Sequence, residues 1–177
     1  GKVWTNEVSK QAVLRLDIAS GKYEFIDTFR DMPKGVNHSP YGMIADRENN
    51  LYFMDFGDEN IGRVDAKTFQ STIYPTPTRR SRPRRTMMDA QGRVWFAEFA
   101  ANKVGMFDPQ KEAIREWDVP TAHTYPYDVY LDTSANPTTL VSANQAGTTY
   151  NYSGLTNALT YRWKVVAKNV ASTLLAT

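Results

Sequence analysis

The chain has 177 residues, 41% hydrophobic and 23% charged, which fits one medium domain or two small ones of a globular protein. A formal net charge of +2 is too small to imply a nucleic-acid partner, and the absence of cysteine excludes disulfides, thiol nucleophiles and Cys-ligated metals. No apolar run approaches the roughly 18 residues of a membrane span. A start at Gly1 rather than Met reads as a processed or excised piece, which leaves export open.

In chain order, VWTNEVSKQAVLRLD from Val3 is an opening apolar-rich segment, followed by a loop around DMPKGVNHS. Met43-Ile44-Ala45 then leads into the polar turn Asp46-Arg47-Glu48-Asn49-Asn50 and the strand Leu51-Tyr52-Phe53-Met54. Phe56-Gly57-Asp58-Glu59-Asn60 is the next turn, Ile61-Gly62-Arg63-Val64 the next strand, and Ser71-Thr72-Ile73-Tyr74 the last, closed by Pro75 and Pro77. The same order recurs from Ser81. Pro40 and Pro83 stand 43 residues apart, as do Asp55 and Glu98, Ile61 and Val104, Asp65 and Asp108, and Pro77 and Pro120. A further step of 43 from Pro83 reaches Pro126, opening PYDVYLD, while the Val3 segment matches LYFMDFGDENIGRVD at an offset of 48.

Four short strands per 40–45 residues is the spacing of a β-propeller blade. Residues 1–132 then hold about three blades, fewer than the roughly 4–8 that close a ring, so the reading is an incomplete propeller. Open blade faces and edges predict self-association or a place in a larger assembly. A composition break falls at Asp132: every acidic residue lies at or before it, and beyond it the only charges are Arg162, Lys164 and Lys168. The expected division is therefore 1–132 as blades and 133–177 as a second segment.

GRVWFAEFAANKVGMFD at Gly92–Asp108, and more loosely NLYFMDFGDENIGRVD at Asn50–Asp65, resemble the repeats of the streptogramin B lyase (virginiamycin B lyase) family. In the tail, Leu155 six residues before Tyr161, and the alternation Tyr161, Trp163, Val165, resemble the tyrosine corner and following strand of a fibronectin type III domain. An added set of strands on the propeller's edge is the alternative for that tail. The fold expected is all-β: an incomplete β-propeller of about three four-stranded blades, then a short β-sandwich-like, fibronectin III-like segment.

The lyase resemblance implies elimination on a cyclic depsipeptide, with Mg²⁺ held by a Glu and a His just after the repeat proline acting as acid or base. By position, the places after the prolines are Tyr41, Arg84 and Tyr127, and the acids fourteen residues beyond the first two are Asp55 and Glu98. The His is missing in every unit present, and Arg84 cannot serve as a base because a guanidinium stays protonated below a pKa of about 12. Glu98 is the remaining candidate catalytic residue, with Glu98 and Asp55 as candidate metal ligands. Their recurrence with Glu7 at one repeat position favours a structural duty, the satisfaction of backbone N–H groups or of an arginine.

Candidate binding residues are the arginine run Arg79, Arg80, Arg82, Arg84 and Arg85, together with Tyr41, Tyr127, His38 and His123. The arginines suit pairing with acids of a neighbouring blade, or an anionic small molecule or acidic protein partner. Nucleic acid is disfavoured, because aromatics do not interleave with the basic run. His38 and His123 lie in similar inter-blade loops out of register, where solvation is expected. The function expected is an extracytoplasmic binding or scaffold propeller, its partner held on the inter-blade loop face, with the Mg²⁺-dependent lyase as the alternative.

Overall fold

The computed structural model describes residues 1–126 in full, and beyond them the backbones of strands 128–132, 162–166, 168–169 and 172–173. Three antiparallel sheets follow one another along residues 1–126. The first has three strands, β1 (Lys2–Glu7), β2 (Ala12–Asp17) and β3 (Tyr23–Ile26), paired in that order, with a short 3-10 turn at Val8–Lys10. The second is β4 (Pro40–Ala45), β5 (Leu51–Asp55), β6 (Asn60–Val64) and β7 (Ser71–Pro75), each strand paired with the next. The third repeats this meander with β8 (Pro83–Met88), β9 (Val94–Glu98), β10 (Lys103–Asp108) and β11 (Ala113–Asp118). The all-β, propeller-like architecture expected from the repeat is the one observed. Further on, β12 (Asp128–Asp132) pairs with β13 (Arg162–Val166), and β14 (Lys168–Asn169) with β15 (Ser172–Thr173). Tyr127 and the Leu155–Tyr161 corner lie outside the described residues.

The 43-residue period reappears as strand register. Pro40 sits opposite Asp55 and Asp55 opposite Asn60, while Pro83 sits opposite Glu98 and Glu98 opposite Lys103. Each first strand also carries the same irregularity, between Pro40 and Met43 in one sheet and between Pro83 and Thr86 in the other. Turn chemistry explains why the chain reverses where it does. Asp46 accepts the N–H groups of Glu48 and Asn50 at 3.0 and 2.8 Å, and Asp89 accepts those of Gln91 and Arg93 at 3.0 and 2.9 Å. These Asx turns make the hairpins locally determined.

Strand alternation builds the interfaces between sheets. Leu51 and Phe53 turn one way, into a cluster with Val13, Ile26 and Met43. Tyr52 and Met54 turn the other way, into a cluster with Val94, Phe96 and Phe107. The middle sheet is thus buried on both faces, and all five β5 residues are buried. Polar ties cross the first interface too: Trp4 Nε1 donates to the Asn49 carbonyl at 3.1 Å, and Arg15 Nη1 to the Ala66 carbonyl at 2.6 Å, with its guanidinium stacked 4.3 Å from Phe69.

Two glycines are fixed by what lies above them. Gly62 faces Phe53 across β5–β6, and Gly105 faces Phe96 across β9–β10. A Cβ on Gly62 would stand 1.9 Å from Phe53 Cζ, and one on Gly105 2.1 Å from Phe96 Cζ. Each ring fills the hollow its glycine leaves, at the bottom of an inter-sheet core. Gly105→Ala is therefore expected to lower unfolding stability by about 1–3 kcal/mol, because Phe96 must leave a fully buried site. Urea denaturation of the variant beside the parent measures this, and an unchanged midpoint contradicts the packing described.

Candidate functional site

The meander order brings the starts of β4 and β8, the ends of β5 and β9 and the starts of β6 and β10 to one edge of their sheets. The repeated acid therefore stands at this edge in each unit, but its surroundings differ from unit to unit. Glu7, at the end of β1, is partly exposed and accepts the Ser9 N–H and hydroxyl, capping the 3-10 turn.

Asp55 is fully buried and ringed by donors. Its Oδ1 accepts the Ser39 N–H at 2.8 Å and the Gly57 N–H at 3.2 Å. Its Oδ2 accepts from His38 Nδ1 at 2.7 Å and from Asn60 Nδ2 at 3.1 Å. The expectation of a solvated His38 fails: this residue is 3% exposed, its ring lies flat on Phe29 with centroids 4.1 Å apart, and Gln11 Oε1 accepts its N–H at 2.8 Å. Solvation was expected because the loop is polar in composition, yet the partner that buries His38 is seventeen residues away in the sequence.

Glu98, equally buried, has no hydrogen-bond partner at either carboxylate oxygen. One step of 43 explains why. The place of His38 is taken by Ser81, whose hydroxyl is bonded to Thr76 at 2.7 Å. The place of Asn60 is taken by Lys103, which turns to Asp118 at 3.0 Å and Glu116 at 3.6 Å. The place of Ser39 is taken by Arg82, whose N–H is drawn to the Asp58 carbonyl at 3.1 Å by a left-handed backbone, φ 50°. Burial, with Glu116 beside it, pushes the Glu98 carboxyl up to about 8.

The arginine run divides. Arg79 is exposed and stands 3.6 Å from Glu59, which also accepts the Arg80 N–H. Arg82 donates through Nε to the Phe56 carbonyl at 3.0 Å and covers the Phe56 ring at 4.4 Å. Arg84 enters a cluster of rings, its guanidinium 5.2 Å from Tyr41, 4.9 Å from Phe56 and 5.0 Å from Phe99. Phe99 continues this row to Tyr125, 5.2 Å away. Arg85 is partly buried on β8, and His123 is exposed in the turn two residues before Tyr125. Phe56, Phe99 and Tyr125 were not singled out from the sequence. The signal for the first two was present: each follows the repeated acid, 43 residues apart.

The described residues do not fit Mg²⁺ at the two candidate acids. A hard divalent cation takes several oxygen ligands. Asp55 is closed by N–H donors, whose positive ends oppose a cation. Among the described residues, the one group of three acidic or imidazole side chains within cation reach is His38, Asp55 and Asp58, which excludes Glu98. Glu98 stands with a single acid neighbour, and Glu116 is already engaged by the Thr78 N–H at 2.8 Å and hydroxyl at 2.6 Å.

A carboxyl raised by folding contributes stability that is full below its unfolded value, near 4.5, and lost as pH rises through about 8. Glu98→Gln removes that loss. The variant is expected to match the parent near pH 5 and to exceed it at pH 8, on the order of 3 kcal/mol. Thermal unfolding at the two pH values checks this, and a variant no more stable than the parent at pH 8 contradicts it.

A model of the virginiamycin B lyase family matches residues 1–148. No curated protein matches the chain. Among solved structures, the fold is similar to a catalytically inactive histidine-to-alanine variant of virginiamycin B lyase from Staphylococcus aureus with quinupristin. That likeness has 21% identity and a TM-score of 0.63, over 73% of this chain and 41% of that one. A streptogramin B lyase structure is similar at 24% identity and a TM-score of 0.63, over 75% of this chain and 42% of that one. A putative 6-phosphogluconolactonase from Bacteroides fragilis NCTC 9343 is similar at 13% identity and a TM-score of 0.53, over 75% and 44%. The chain thus spans about two fifths of the length of the lyase structures it matches. With most of its residues under the family model, and with the repeat acid and proline in matching register in two successive sheets, the chain belongs to the virginiamycin B lyase family.

Proposed function

We propose that the chain is a binding part of a propeller, holding an anionic ligand or an acidic segment of a protein partner at the Arg84 ring cluster without turning it over. The observation that carries this reading is Arg84 itself. It follows the repeat proline, where the lyase resemblance asks for a proton-transferring His, and its guanidinium packs among Tyr41, Phe56 and Phe99. A guanidinium keeps its charge at every working pH and presents a planar fork suited to carboxylates. It recognises anions and accepts no proton. The similar S. aureus structure is a histidine-to-alanine variant described as catalytically inactive, which supports reading the absence of a His here as an absence of turnover.

An extracytoplasmic site and a larger assembly belong to the same proposal. The first rests on the resemblance, in sequence, of the tail to the end of a fibronectin type III domain. The second rests on the three-stranded first sheet, which leaves β1 at an edge, and on the exposed Val3, Tyr23 and Phe25 of that sheet.

One observation favours a second reading. Glu98, buried without a hydrogen bond and held at about 8, is a carboxyl able to exchange a proton near neutrality, as elimination on a cyclic depsipeptide requires. The two readings separate in one pair of measurements. Calorimetry with citrate as the anionic probe is expected to show binding that Arg84→Gln weakens about tenfold, equivalent to about 1.4 kcal/mol. Quinupristin incubated with the chain, with and without Mg²⁺, is expected to keep its ring closed by mass spectrometry. Ring opening that disappears in Glu98→Gln overturns the binding reading in favour of the lyase.

A further inference from the structure

The front of the first sheet, the side turned away from the second, is an interface half left open among the described residues. Val3, Leu16 and Tyr23 stand side by side across β1, β2 and β3, and Thr5, Leu14 and Phe25 form the next row. Alternation turns both rows away from Val13, which packs toward the second sheet. Val3 is 48% exposed, Phe25 54% and Tyr23 59%. Forty-eight residues on, the places of Val3, Thr5 and Leu16 are held by Leu51, Phe53 and Val64, all fully buried between two sheets. Positions that seal one interface are therefore bare in the first sheet, and a bare apolar patch of this kind marks a contact surface.

The far end of the stack carries the matching half. The second sheet grips the third with Tyr52 and Tyr74, whose rings lie 6.2 and 4.6 Å from Phe107. One period on, their places are held by Trp95 and Trp117, stacked with centroids 5.5 Å apart. Trp95 lies between Val94 and Phe96, which face the second sheet, so alternation turns it and Trp117 to the back of the third sheet. Trp117 is 40% exposed. The place of Phe107, which receives such a pair of rings, is held by Val64 in the second sheet and by Leu16 in the first.

We infer that two copies of the chain close head-to-tail, the Trp95–Trp117 pair of each seated on the Val3–Leu16–Tyr23 row of the other. This rests on the assembly part of the proposed function and names its partner and its two surfaces. Within the chain, the back of one sheet meets the front of the next, at both interfaces between the three sheets. The contact between copies continues that order. A head-to-tail contact used twice about a two-fold axis closes on itself and leaves neither surface in water. One copy has three sheets, too few for a ring, and two copies reach the roughly 4–8 that close a propeller. Each copy spans about two fifths of the lyase structures it matches, so a pair approaches the length of one of them.

Sedimentation equilibrium of the full chain tests this. The parent is expected at twice the chain mass. Phe25→Glu and Trp117→Glu, at exposed positions outside the inter-sheet clusters, are each expected to weaken association about thirtyfold or more, as loss of a central aromatic anchor does. Tyr23→Glu, on the same row as Val3, is expected to behave as Phe25→Glu, and circular dichroism checks that each variant keeps the parent's spectrum. Phe25→Glu and Trp117→Glu mixed in equal amounts are expected to recover the two-chain mass, because one interface of the mixed pair carries both substitutions and the other carries neither. A mixture that stays as single chains, beside a parent that pairs, shows like faces meeting; it overturns the head-to-tail contact and leaves an assembly standing. A parent of single-chain mass overturns the assembly as well, folded variants that keep the parent's mass overturn the surfaces named, and a mass above two chains overturns the closed ring. Anion binding at Arg84 is read separately, by citrate calorimetry on Phe25→Glu, and stands or falls on its own.

Discussion

The carboxylate of Asp55 is the point on which the middle of this structure turns. It is buried, and it gathers two backbone N–H groups, an imidazole and an amide from the chain before β4, the turn after β5 and the start of β6. These donors come from separate stretches of the chain, so one anion ties the path into β4 to the turn between β5 and β6. The sheet above it then packs on both faces, and the His38 ring is held against Phe29. A carboxylate with several donors is favourable in low dielectric because its charge is met in every direction. Without them the same burial becomes a cost, and the next unit shows it.

Glu98 keeps the position, the strand register and the burial of Asp55, and loses the donors. The losses trace to four positions, Ser81, Arg82, Ala100 and Lys103, each engaged elsewhere, Ala100 through its N–H to the Ser81 carbonyl at 3.0 Å. Family membership is carried by what the two units share: the repeat proline, the register shift, the Asx turns, and a phenylalanine over a glycine. Function is carried by what they do not share. An unpartnered carboxyl and a guanidinium among rings are local departures from a structural repeat, and such departures are where binding or chemistry is sought. Their arrangement supports anion recognition around Arg84 more directly than proton transfer, since the group in the proton-transferring place holds its proton permanently.

Much of the fold was legible in the sequence, because it is written as a period. Strand number, turn positions and register all follow from Pro40 and Pro83, Asp55 and Glu98, and Asp65 and Asp108 recurring at one spacing. The family followed from the same residues. The site was legible only in part. Arg84 and the acids were found by repeat position, but positional equivalence says nothing of partners: Asp55 and Glu98 look alike in sequence and differ in every hydrogen bond. His38 was misjudged for the same reason, since a polar loop composition cannot reveal that Asp55, Gln11 and Phe29 close over it. The ring row of Tyr41, Phe56, Phe99 and Tyr125 joins separate sheets, and strand alternation within a unit does not report contacts between units.

The most direct test of this account is the urea denaturation of Asp55→Asn, which keeps the shape of the side chain and removes its charge. Either orientation replaces a charged acceptor by a neutral one and turns the NH₂ group toward donors: two backbone N–H groups on one side, or the Asn60 amide and an imidazole that must change tautomer on the other. The account predicts a loss of about 2–3 kcal/mol, with faster exchange of the Ser39 and Gly57 amide protons. A variant within about 0.5 kcal/mol of the parent, with those amides still protected, would contradict the central place given to Asp55.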